Sequence, residues 1–332
     1  MQRPVVSDSQ MGYLPRKSLQ VLGSIFAVTT FNFFLFHIIP GDPIRLIART
    51  QKLDAEQVAA LRAEYGLDGS LFSQYLTYLN NLLHGDLGYS FALHEQVSTA
   101  LMRALGHTAL LLTVSTLIVV LFGIFLGVFA GSRQGSKADS RTIIGALVFW
   151  SMPTFWVGML LVFIFGVWWG VLPISGITTP NAVYDTYLSY VMDIARHLIL
   201  PTLTLALVDI AFFVLITRTS LVEVMSEDFM LTARGKGLPR RVLVWRHGVR
   251  NALLPVLTAS ALYISGLVGG AIQVEVVYSW PGMGLLMYNS VLSRDYAVLE
   301  AAFLVSSVVV ILANFATDVL YRRFDPRVVV AQ

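Results

Sequence analysis

Six runs of about twenty apolar residues constrain this chain more than anything else in it. They fall near residues 19–39, 108–130, 143–170, 198–217, 252–274 and 298–320. A run of that length crosses a hydrocarbon core only as a helix, because in lipid every backbone N–H and C=O must be paired within the segment. Across all 332 residues, 56% are hydrophobic and only 13% charged, so a soluble fold with a charged surface is excluded. The first run follows Arg16 and Lys17 as a signal peptide would, but its 21 residues exceed a signal core and no small-residue cleavage site follows. It reads as a retained span.

Charge sets the expected orientation. With the N-terminus inside, the inner segments carry 16 Lys/Arg and the outer segments 7. Both termini should therefore face the cytoplasm. The sequence excludes much chemistry as well. There is no Cys and no Gly-rich phosphate loop ending in Gly-Lys-Ser/Thr, no Gly-x-Ser-x-Gly and no His-Glu-x-x-His. No catalytic residue, metal site or cofactor is expected on this chain, nor any contact with nucleic acid.

Several local signals add detail. Pro153 should kink the third span. Gly123, Gly127 and Gly131 repeat every four residues, as do Gly266 and Gly270, a spacing that lets helices pack closely. Residues 40–107 are too long for a plain connection. Within them Asp54 and Gln57 read as a capping box opening one amphipathic helix over Val58, Leu61 and Tyr65. Phe72, Leu76, Leu79 and Leu83 mark a second. Such helices could cover the protein's own outer face or receive a partner. His37 and His197 sit at span ends, where packing explains them. Asp209 is an acid in mid-span, costly unless it faces water or a polar neighbour. It could line a translocation path, or bond a neighbouring helix or Arg218. Trp280 beside the Pro281-Gly282 turn reads, on its own, as a membrane-interface aromatic.

The loop between spans four and five has the most internal order. From Arg218 to Arg250 it carries seven Lys/Arg. Ser226, Glu227 and Asp228 form a helix start. Gly237 and Pro239 form a stop. Together they predict a short helix over 229–236, and a second basic stretch, 240–250, returns to the bilayer.

The run Thr232-Ala233-Arg234-Gly235-Lys236-Gly237, followed by Leu253-Leu254-Pro255, resembles the coupling loop of bacterial ABC importer permeases, in the branch that transports peptides, nickel and opines. Leu231 stands where many members carry Glu. Four other stretches resemble that branch: Pro40-Gly41-Asp42-Pro43, Gly85-Asp86-Leu87-Gly88-Tyr89-Ser90, then Glu275 to Gly284 with Arg294-Asp295-Tyr296, and Asn314 to Arg327. The likeness runs from Leu19 to Arg327. It implies an all-α membrane protein of six transmembrane helices in the type I ABC importer permease fold, both ends inside, with an extracytoplasmic helical segment between the first two.

It further implies a cytoplasmic N-terminus (1–18), a first span (19–39), an extracytoplasmic segment (40–107), a permease core (104–321), a coupling loop (218–251) and a cytoplasmic tail (322–332). Glu227, Asp228, Phe229, Thr232, Ala233, Arg234, Lys236 and Gly237 are the expected coupling residues, Asp209 a candidate for the path. Glu275, Trp280, Pro281, Gly282, Gly284, Arg294, Asp295 and Tyr296 form the expected extracytoplasmic motif. The implied partners are a second homologous permease, two ATPase subunits that bind ATP and Mg, a solute-binding protein and the lipid of a bacterial inner membrane. The substrate would be a peptide; nickel, an opine or another small solute is the alternative. An ion-coupled carrier using Asp209 lacks the repeated halves usual for that class. An intramembrane protease has only Ser175 and His197 to suggest it.

Overall fold

A computed structural model describes residues 9–38, 54, 56–58 and 69–324. The chain order is α1 (Ser9–Ile38), α2 (Leu71–Leu83), a hairpin of β1 (Tyr89–Ser90) and β2 (Glu95–Gln96), α3 (Val97–Gly131), α4 (Lys137–Trp150), α5 (Thr154–Leu161), α6 (Tyr187–Ser226), α7 (Asp228–Gly235), α8 (Arg240–Val242), α9 (Val249–Val277), α10 (Met283–Ser293) and α11 (Tyr296–Phe324). Contacts divide the chain into two compact units, Met1–Leu105 with Leu286–Asp318, and Gly106–Leu285 with Val319–Gln332.

Among the described residues, four helices are long and apolar enough to cross a membrane, five if one sharply bent pair counts as a single span. The four are α3, α6 and the greater parts of α1 and α11. The fifth expected run falls on α9, 29 residues long. Gly266 and Gly270 lie there among side chains outside the description.

The bent pair is α4 and α5, and it departs from the expected kink. Helix α4 stops at Trp150, α5 restarts at Thr154, and the axis turns by 100° between them. Pro153 supplies no N–H and disfavours helical backbone at Met152. Its own ψ of 132° makes it the extended N-cap of α5, so the chain turns a corner there. Beyond α5 the winding loosens into a π-helical stretch, Val162–Trp168.

In the second unit α3 packs closely on α6. A Cβ added at Gly127 would stand 2.5 Å from Thr217 Cβ and 2.9 Å from the Val214 carbonyl. One at Gly123 would strike Phe213, and one at Gly131 would stand 3.1 Å from the Arg218 carbonyl. Successive glycines therefore meet successive turns of α6 in the same chain order, so the two helices run parallel. Their C-terminal ends share one side. There Arg218 donates two hydrogen bonds to the buried Asp139 of α4, at 2.8 and 3.2 Å, and Arg240 donates to the Ser132 carbonyl. The basic segments after α3 and after α6 are thus neighbours. At the opposite end the core closes over Leu111, Val157, Leu200, Tyr278 and Trp280.

In the first unit α2 packs on α1. Tyr75 and Thr30 share a hydroxyl hydrogen bond of 2.7 Å, and the Phe33 ring lies 5.2 Å from Tyr75 and 5.3 Å from Tyr78. The expected helix is present, but its apolar stripe faces outward: Phe72 is 69% exposed, Leu83 86%. The inward face is aromatic and polar because α1 offers both rings and a hydroxyl there. Asp54 and Gln57 do form the capping box, with reciprocal bonds of 3.0 and 2.8 Å. Leu61, Tyr65 and residues 40–43 lie outside the described residues, as do residues 325–327. Asp318 pairs with Lys17 at 2.7 Å.

Candidate functional site

The short helix in the basic loop is α7, one residue earlier than the sequence spacing suggests. Its start differs from expectation. Ser226 does not cap it; the Ser226 hydroxyl donates back to the Glu223 carbonyl at 2.6 Å and completes the last turn of α6. The break falls at Glu227, whose ψ of 153° redirects the chain, and Glu227 makes no side-chain cap. Asp228 then places a carboxylate in the first turn, at the positive end of the dipole. The stop is as the sequence implies. The Gly237 N–H donates to the Arg234 carbonyl at 2.9 Å, and Gly237 has φ +74°, left-handed backbone that a side chain disfavours.

Two faces of α7 do different things. Met230 is fully buried and Ala233 nearly so, packed with Leu243, Met225 and Leu238. Arg234 donates to the Met225 carbonyl at 2.9 Å, satisfying an orphan acceptor at the end of α6. These contacts fix the helix to the bundle. The outward face carries Phe229 and Leu231, 42% and 57% exposed, with Asp228, Thr232 and Lys236 also exposed. Trp245, 54% exposed, lies in the π-helical stretch that follows α8. Of the expected coupling residues, Ala233 and Arg234 anchor the helix and Gly237 ends it, while Asp228, Phe229, Thr232 and Lys236 present a surface. Sequence reasoning missed Met230, although its i, i+3 spacing from Ala233 signals an inward face.

At the far end, Glu275 organises the stretch between α9 and α10. It is fully buried. Its carboxylate accepts from the Thr108 hydroxyl at 2.6 Å and from the Gly284 and Leu285 N–H groups, at 2.6 and 3.2 Å, in the first turn of α10. The Thr108 hydroxyl in turn accepts from the Met283 N–H at 2.8 Å. Gly284 is required by proximity: a Cβ there would stand 2.6 Å from Ile272 Cα. Trp280 is not an interface aromatic. It is wholly buried, and its indole N–H donates to the His107 carbonyl at 3.0 Å. That bond removes the polar cost that would otherwise hold the ring at the membrane surface. His107 closes the ring through a bond of 2.9 Å to the Pro281 carbonyl.

Other motif residues belong to the first unit. Asp295 caps α11 by accepting from the Val298 N–H at 3.3 Å, and it accepts the hydroxyl of Ser90. Two separate motifs, one ending at Ser90 and one centred on Asp295, are therefore joined. Arg294 adopts φ +56° just before that cap and is exposed, and Tyr296 opens α11. His197 is buried against the Asp193 carbonyl at 2.9 Å, so the pairing with Ser175 that a protease needs gains no support. Asp193 also accepts from the Thr179 N–H and hydroxyl and from Tyr184; that bond, with burial, holds the Tyr184 phenol above its usual pKa. In mid-span, Asp209 accepts a hydrogen bond of 2.5 Å from the Tyr263 hydroxyl across the α6–α9 contact. Arg218 is committed to Asp139 instead. Among the described residues no three His, Asp or Glu side chains converge to hold a metal.

The family described as the binding-protein-dependent transport system inner membrane component matches residues 123–330, and its N-terminal companion matches 11–113. The chain belongs to this family. It is 34% identical to the oligopeptide transport system permease protein AppB of Bacillus subtilis, over 95% of this chain and 98% of that one. It is 35% identical to the di/tripeptide transport system permease protein DppB of Pseudomonas aeruginosa, over 96% and 98%. It is 36% identical to the glutathione transport system permease protein GsiC of Escherichia coli K12, over 96% and 99%. Among solved structures it resembles the MetNI methionine ABC transporter in inward-facing conformations, with TM-score 0.54 at 18% identity over 68% of this chain and 96% of that one. An amino acid ABC transporter follows at 0.51, with 15% identity over 68% and 94%. The fold is thus that of ABC importer permeases, and the protein is a multi-pass membrane permease.

Proposed function

We propose that this permease is the pore-forming subunit of an ATP-driven bacterial importer of peptides, built from six spans with both ends cytoplasmic. The observation that carries the reading is α7: a helix fixed to the bundle by Met230 and Ala233 while Phe229 and Leu231 stand in the open on the basic side. ATP and Mg bind to two partner ATPase subunits, and this chain is not itself an enzyme. A second homologous permease completes the pore, and a solute-binding protein delivers the peptide at the Glu275 end. Closure of the ATPases on ATP moves the docked α7, and the bundle passes the push to the gate as a switch between two packed states. The peptide substrate is supported by the relatives, whose names specify oligopeptides, di- and tripeptides and glutathione. The site is the bacterial inner membrane.

Asp209 lines the path in this reading, and Tyr263 keeps one of its oxygens engaged. Proteoliposomes holding the complete importer test both points. ATP with the loaded binding protein should drive peptide uptake that persists when ion gradients are collapsed. In the same vesicles Asp209→Asn should reduce uptake of lysine-containing peptides several-fold more than of neutral ones. Uptake that follows an ion gradient without ATP would overturn the importer reading, and equal losses for both peptides would return Asp209 to a purely structural role.

A further inference from the structure

Away from α7 and the Glu275 region, the first unit encloses a half-open cavity of about 190 Å³ between α1, α2 and α11. That is room for several waters, more than a lone metal ion needs. Glu300 of α11 and Tyr78 of α2 line it. The Glu300 Oε1 and the Tyr78 hydroxyl are both buried, and neither has a hydrogen-bond partner among the described residues. Burial pushes the Tyr78 phenol up to about 12, so it stays an intact hydroxyl. Asp86 adds a second carboxylate to the wall, its Oδ1 engaged by the Gly88 N–H at 2.9 Å. Among the described residues no Lys, Arg or His lines the cavity. The remaining wall mixes the amide of Asn81 with the apolar Phe33, Leu82 and Leu304.

An unpartnered buried carboxylate oxygen is costly, and a donor bearing positive charge relieves it best. A ligand that is cationic, donates hydrogen bonds in more than one direction and carries a short apolar portion fits this lining. We propose that this cavity binds a primary ammonium group, with Glu300 as its counter-ion and Tyr78 as a second acceptor. A free alkylamine and the amino terminus of a peptide share this chemistry. The second source rests on the peptide-import reading, whereas the site itself does not.

The purified full-length chain in lipid nanodiscs, titrated by calorimetry, tests the proposal. Butylammonium should bind saturably, and butanol, its neutral counterpart, should not. Glu300→Gln, which keeps the shape, should weaken butylammonium about tenfold or more, as expected for loss of a charged hydrogen bond. Tyr78→Phe should weaken it by a smaller factor. Dialanine binding where N-acetyl-dialanine does not would identify the peptide terminus as a source; butylammonium binding alone would keep the site and overturn that source. Equal binding of butanol, undiminished affinity in Glu300→Gln, or heat only with sodium, potassium or calcium would overturn the ammonium site. Failure of ATP-driven peptide uptake with butylammonium binding intact would count against the transport reading and leave this site standing.

Discussion

A single carboxylate shows how a polar residue comes to hold an apolar protein together. Glu275 sits where α9 ends and gathers a hydroxyl and two N–H groups that would otherwise be orphans at the start of α10. Removing the acceptor strands all three donors, at about 1–3 kcal/mol for a buried unsatisfied group. Glu275→Ala should therefore lower the midpoint of thermal unfolding in detergent by several degrees, while Glu95→Ala on the exposed hairpin pair with Arg103 should leave it nearly unchanged. Equal midpoints for the two would show that Glu275 is not the fastener. At the other end Gly237 acts through its backbone alone. A Cβ there meets nothing within 4 Å, yet φ is +74°. An added Cβ is thus free of clashes, and a β-branched residue costs roughly 1–2 kcal/mol of local strain through the backbone. Gly237→Val should leave membrane abundance near wild type, abolish uptake, and remove stimulation of the ATPase by loaded binding protein. Normal uptake and stimulation would exclude a role for this turn in transmission.

At the scale of elements, most helices were legible from their apolar runs, and the differences have local causes. The glycine stripe of α3 announced close packing, but only the structure shows that Phe213, Thr217 and Leu221 receive it. Filling Gly127 forces a Cβ to 2.5 Å from Thr217 Cβ, so Gly127→Val should cost about 1–3 kcal/mol by overpacking. A matched Thr217→Gly, which takes away that Cβ, should restore part of that loss, read as folded yield after membrane extraction. The corner at Pro153 was legible as a break but not as a 100° turn, because the angle depends on packing against α6. The aromatic face of α2 was hidden because its partners on α1 lie some forty residues away, as in the Thr30–Tyr75 pair. The burial of Trp280 is not legible in the sequence because its hydrogen-bond partner, His107, is distant along the chain. The short helix α7 was legible because its start and stop signals are local, and its anchoring residue Met230 was not, because burial depends on Leu243 across the turn.

On the scale of the whole molecule, parallel α3 and α6 bring the basic segments after each to one side, with the Glu275 region at the opposite end of the same unit. In the proposed mechanism, force applied at α7 on the basic side reaches the far end through α6 and α9. In the proposed importer α7 docks on an ATPase subunit by its outward face. Because the chain has no Cys, single thiols can be placed by Leu231→Cys on that face and by Ala233→Cys on the anchored one. In the assembled importer, a short bifunctional thiol–amine reagent should join the Leu231→Cys chain to an ATPase subunit in high yield, and the Ala233→Cys chain little or not at all. Labelling of the Leu231→Cys thiol by an impermeant reagent outside intact cells, or no ATPase cross-link in an importer that still transports, would contradict the account.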